Sequence, residues 1–75
     1  MDEKITRENV GERLKMARKK GKYTWAKTSE ITGLSVQTIY NVESGKHPKI
    51  TIGTIKILAE FIEGVENGKD FRSEV

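Results

Sequence analysis

Hydrophobic residues recur along this chain at helical spacing, and no segment alternates convincingly as a strand does. Val10, Leu14 and Ala17 stand at i, i+4 and i+7 with Arg, Lys and Glu between them, which predicts an amphipathic first helix from about residue 7 to 20. Asn9 with Glu12 would form a capping box there, or Thr6 would cap one turn earlier. Gly21 supplies a C-terminal stop, and Tyr23 is the next large apolar anchor. Thr24 caps a second helix from Trp25 to about Thr32, ended by Gly33. Ser35 then caps a third, from Val36 to about Ser44. Only Leu34 and Ser35 separate Gly33 from that third helix, so Ile31, Leu34, Ile39 and Val42 converge and the two helices are held at a steep angle. Ser29 has the small side chain that such an approach requires.

Gly45 closes the third helix, and the link KHPK follows, where Pro48 forbids continuation. Thr51 caps a fourth helix in which Ile52, Ile55, Leu58, Ala59 and Ile62 share one face, the strongest periodic signal in the chain. Ile57, Phe61 and Val65 form a second stripe at i, i+4 and i+8; with Phe71 they are candidates for a dimer contact, or they pack against the first helix of the same chain. The expected organisation is one helix-turn-helix domain over residues 1–63, followed at 64–75 by a polar tail or a short accessory helix. There is no internal repeat and no low-complexity segment.

Size narrows the picture further. A chain of 75 residues is one domain and buries only about 60% of the surface its unfolded form exposes. It has no Cys, so neither disulfides nor thiolate metal sites reinforce the core. No apolar run reaches the length of about 20 residues that spans a bilayer, and the N-terminus lacks the apolar core of a signal peptide, so the expected location is cytoplasmic with no membrane partner.

Charge adds the direction of a partner. The net charge is only +3, yet residues 15–49 hold Lys15, Arg18, Lys19, Lys20, Lys22, Lys27, Lys46 and Lys49 against Glu30 and Glu43, a local excess of +6. Residues 1–14 carry −1 and residues 50–75 carry −2. A basic middle between acidic ends is the footprint of phosphate contacts, although on charge alone a solvated basic surface would be the better reading.

The ordered set VGERLKMARKK, Gly33-Leu34-Ser35, TIYNVESGK and ITIGTIKILAEFI resembles the Cro/repressor helix-turn-helix proteins, the lambda-repressor-like or XRE family, over Val10 to Ile62. The resemblance implies an all-α, compact bundle of four to five helices with its helix-turn-helix at residues 25–44. It implies double-stranded DNA as partner, with Val36, Gln37, Tyr40 and Asn41 presented to base edges in the major groove. Gln37 and Asn41 are the leading readers, since an amide donates and accepts at once and so matches adenine N6 and N7. Val36 suits a thymine methyl, while Tyr40 either reaches DNA or packs its ring over the helix.

Backbone contacts are implied for Trp25, Ser35, Thr38, Ser44, Lys46, His47 and Lys49. Trp25 stands where the family usually has a polar residue bonding a phosphate; it offers only its indole N–H, and packing is the alternative. Arg18 and Glu43 match a structural ion pair that ties the first helix to the third. Thr28 replaces a core Leu and Ala17 is smaller than usual, so packing of the first helix on the second is expected to be loose or compensated elsewhere. The glycine between these helices also sits one position early, at Gly21 rather than beside Tyr23.

The expected function is therefore a sequence-specific DNA-binding transcriptional regulator, a repressor acting by operator occupancy as a homodimer. The alternative is a DNA-binding antitoxin or an adaptor that holds a partner protein through its tail. An enzyme is disfavoured: there is one His, no phosphate-cradling glycine loop and no carboxylate pair set in a cleft. No cofactor, metal or small-molecule ligand is expected, and His47 lacks a second ligand to share a metal with.

Overall fold

A computed structural model describes residues 4–46 and 49–73. They fold as α1 (Val10–Lys20), α2 (Trp25–Thr32), α3 (Val36–Glu43) and α4 (Ile52–Glu66), followed by a 3-10 turn at Phe71–Ser73. The all-helical class and the helix-turn-helix expected from the sequence are both present.

Local chemistry sets most boundaries. Thr24, Ser35 and Thr51 each have extended backbone and accept a hydrogen bond from the N–H three residues on, which satisfies a donor the helix leaves open. At α1 the earlier of the two candidate caps operates. Thr6 Oγ1 accepts from the Asn9 N–H at 3.3 Å while Asn9 Oδ1 accepts from the Thr6 N–H at 2.8 Å, a reciprocal box around a turn at residues 7–9. The helix proper begins at Val10.

The α1–α2 turn differs from expectation. Gly21 keeps a right-handed backbone, with φ −85°, and Lys22 takes the left-handed conformation at φ 60°. What Gly21 provides is space: a Cβ there would lie 2.3 Å from the Tyr23 ring. The left-handed residue is the one beside Tyr23, where a side chain costs about 1 kcal/mol or more. Lys22→Gly is thus expected to stabilise the domain by about 0.5–1 kcal/mol after its greater unfolded-state entropy is counted. Thermal melting should rise by about 2–8 °C; no rise would mean that the turn relaxes.

The core joins Leu14 and Ala17 of α1, Ile39 and Val42 of α3, and Leu58, Phe61, Ile62 and Val65 of α4, with Tyr23 and the loop residues Ile5 and Ile50. Two expectations are corrected here. Ile52 is 64% exposed rather than part of the buried face, because the first turn of α4 projects beyond the core. Phe61 and Val65 are buried and Phe71 is packed against them, so they build this chain's own core and leave only Ile57 of that stripe outside.

Thr28 is fully buried at its unusual position, and its hydroxyl donates to the Thr24 carbonyl at 2.9 Å, so the polar group is satisfied where it sits. The C-terminal segment folds back onto the same core. Phe71 lies edge-on to Tyr23 and 5.3 Å from Phe61 by ring centroids, and its N–H donates to the Tyr23 hydroxyl at 2.9 Å. The backbone N–H of Arg72, and then its side chain, hold the Asp70 carboxyl below the usual carboxylate range. At the other end of α4, Arg7 donates to the Ile50 carbonyl at 3.0 Å and fastens the α3–α4 link to the N-terminal turn.

Candidate nucleic-acid interface

The turn that aims α3 is built from four small residues. Gly33, at φ 79°, takes the left-handed conformation that reverses the chain, and its N–H returns to the Ser29 carbonyl. Ser29 donates its hydroxyl to the Leu34 carbonyl, and Thr32 Oγ1 accepts from the Leu34 N–H at 3.3 Å. Ser35 then caps α3, its Oγ accepting from the Thr38 N–H at 3.1 Å. The N–H groups of Gly33, Leu34 and Thr38 and the Leu34 carbonyl thus each have a partner supplied by the motif itself.

With Ile39 and Val42 facing the core, α3 turns its other side outward. Val36, Gln37 and Tyr40 are exposed, Asn41 and Thr38 are half-buried, and Ser35 and Ser44 stand exposed at the two ends. Gln37 Nε2 donates to Asn41 Oδ1 at 3.0 Å, as residues one helical turn apart can. That bond leaves an acceptor on Gln37 and a donor on Asn41 side by side. Flipping both amides exchanges the two residues' roles, so in either state the pair presents N–H donors beside a free carbonyl acceptor to whatever approaches.

Behind this face lies an ion pair. Arg18 Nε donates to Glu43 Oε2 at 2.6 Å and Nη2 donates to Oε1 at 3.0 Å, with side-chain exposures of 14% and 6%. Arg18 Nη1 also donates to the Tyr23 carbonyl at 3.2 Å. The pair is a two-pronged fork that connects α1 to the last residue of α3. Trp25 joins it: the indole N–H donates to Glu43 Oε1 at 3.4 Å, the Arg18 guanidinium lies 5.4 Å from the ring centroid, and the ring meets Tyr40 edge-on at 5.4 Å. The one donor Trp25 possesses is thus turned toward its own protein. That arrangement was not legible in sequence, because it joins residues from three helices.

Lys46 and Lys49 are exposed beyond α3, while His47 lies outside the described residues. Lys15 and Lys19, one turn apart on α1, border the same side of the molecule as Trp25, Tyr40 and Ser44. In the sequence they belong to the basic middle, and their four-residue spacing on either side of Arg18 is the signal that sets them on one face. Lys27 pairs with Glu30 at 3.2 Å on the surface, a contact worth little. No helix among the described residues is long and apolar enough to cross a membrane.

A family model described as helix-turn-helix matches residues 14–69. Comparison with curated proteins and with solved structures returned no match. The matched span runs from α1 through the whole of α4 and contains the turn and the outward α3 face just described. The chain belongs to the helix-turn-helix family of the lambda-repressor-like, XRE type, whose members are DNA-binding transcription regulators.

Proposed function

We propose that this protein is a sequence-specific repressor that occupies its operator, with α3 in the major groove and Gln37 and Asn41 as its principal readers. The observation that carries the reading is the bonded amide pair on the outward side of a capped, rigidly aimed helix. Its free donor and acceptor complement the N7 and N6–H of adenine. Val36 lies beside it for a thymine methyl, and Ser35, Thr38, Ser44, Lys46 and Lys49 flank it for phosphates. One short helix reads few base pairs, so two copies on half-sites about 34 Å apart supply useful affinity. Regulation by occupancy places the protein with the DNA, in the cytoplasm. The tail that an antitoxin or adaptor reading would use for a partner has its Phe71 engaged with Tyr23 and Phe61 of its own domain.

Selection of bound sites from random duplex DNA, repeated with variants, tests this. Gln37→Ala should relax preference at one or two base pairs by about 1–3 kcal/mol. Lys46→Ala should instead weaken all sequences alike and flatten the salt dependence by about 0.9 in log–log slope. An unchanged site preference for Gln37→Ala would remove α3 from the role of reader.

A further inference from the structure

The groove between α1 and the outer side of α3 is bordered by Lys15, Lys19, Trp25, Tyr40 and Ser44, with the Arg18–Glu43 pair between them. Glu43 is the one anion on this border and Arg18 already neutralises it, so the groove keeps the charge of two lysines. Among the described residues neither Lys15 nor Lys19 has an ion-pair partner, and the Tyr40 hydroxyl has no hydrogen-bond partner within the protein. Ser44 donates to the Asn41 carbonyl at 3.3 Å, so in the free protein its hydroxyl is not among the groove's open donors. Trp25 contacts the Tyr40 ring while its own N–H faces Glu43, so the wall of the groove is aromatic and its free donors are Lys15, Lys19 and Tyr40.

Three donors, two of them cationic, around an open groove next to the reading helix match a phosphodiester and nothing apolar. We infer that this groove seats the sugar-phosphate backbone of duplex DNA at the flank of the bound site, with Lys15, Lys19 and Tyr40 holding a phosphate that Trp25 does not. The duplex is favoured over an acidic protein segment because the groove continues directly into the α3 face through Tyr40 and Ser44. The inference depends on DNA binding by α3 and extends its footprint onto α1.

The test uses the full chain and the duplex obtained by site selection. Affinity is measured against salt for the parent protein, for Lys15→Gln with Lys19→Gln, and for Lys56→Gln, which removes one exposed charge from α4. The paired substitution should lower the log–log slope by about 0.9, the one phosphate the two lysines neutralise, with base preference unchanged. Lys56→Gln should leave the slope as it was. A neutral methylphosphonate scanned along the flanking backbone should weaken the parent protein at one position and leave the paired variant indifferent there. This scan gives an answer even if the variant is unstable, because the parent protein carries it. Failure of the parent to bind any duplex would overturn the functional reading itself. Binding with a slope that the paired variant does not lower, or with no sensitive flanking phosphate, would overturn the groove assignment alone. Capture of oligoglutamate at the groove with an unchanged DNA slope would overturn it in favour of an acidic partner.

Discussion

Gly11→Ala is expected to lower the melting temperature of this domain by roughly 8–16 °C, although the same change in most helices is stabilising. Gly11 lies in the first turn of α1, and a Cβ built there would stand 2.3 Å from the carbonyl oxygen of Val42 in α3. That neighbour is backbone, so no rotamer change relieves the contact. One helix must move away from the other. Overpacking of this kind costs about 1–3 kcal/mol, and here the displaced elements are the two that the Arg18–Glu43 pair also connects, which places the cost at the upper end. The propensity gain of about 1 kcal/mol from Gly to Ala offsets part of it. A domain of this size has about 4–11 kcal/mol in total, so the net loss is a large fraction.

Gly53→Ala is the internal comparison. It also lies in the first turn of a helix, but its Cβ would meet nothing nearer than Thr51 Oγ1 at 3.9 Å. There only the propensity gain remains, and stability should rise by up to about 1 kcal/mol. Thermal melts of the two variants should therefore move in opposite directions. A Gly11→Ala protein as stable as the parent would show that α1 and α3 do not approach as closely as described.

The contrast between these glycines also shows which parts of the molecule could be read from the sequence. Thr24, Gly33, Ser35 and Thr51 announce helix ends because a cap or a reversed turn is satisfied within a few residues, so its cause is local. The buried sides of α1 and α3 follow from spacing for the same reason. Gly11 carries no such signal. Its need is set by Val42, thirty-one positions away, and only the assembled fold reveals it. Ile52 was misread for a related reason: helical spacing says which residues share a face but not where along that face the neighbouring helices end. Phe61, Val65 and Phe71 could be read as a contact for a second chain or as core, and only the return of the C-terminal segment onto Tyr23 decides it. On α3, the outward position of Gln37 and Asn41 was implied by the family resemblance, and their four-residue spacing puts them on one face. Their bond to each other is one that four-residue spacing on a helix permits. The turning of the Trp25 N–H toward Glu43 required three helices to be in place.

Glu43→Ala should destabilise the domain by about 3 kcal/mol and weaken DNA binding beyond what the loss of folded protein explains. The Glu43 carboxylate is 6% exposed and takes two donors from Arg18 and one from Trp25. Removing it leaves a guanidinium of 14% exposure hydrogen-bonded to the Tyr23 carbonyl at 3.2 Å, a largely buried charge without a counter-ion. Breaking such a pair costs about 3–5 kcal/mol, and the residual exposure of Arg18 argues for the low end. Most of that cost is the stranded charge rather than the worth of the pair. Consequently Arg18→Met combined with Glu43→Leu should recover much of the loss, and the double-mutant cycle should be strongly non-additive. A cost for Glu43→Ala below about 1 kcal/mol, with additive singles, would place the pair among ordinary surface bridges. Binding supplies the second readout. Glu43 is the last residue of α3, and through Arg18 it fixes the far end of that helix against α1. The double variant, restored in stability but with only apolar packing in place of the fork, should therefore bind its selected duplex more weakly than the parent at a temperature where both are folded. Equal affinity would mean that core packing through Ile39 and Val42 is enough to aim α3, and that the ion pair contributes to stability alone.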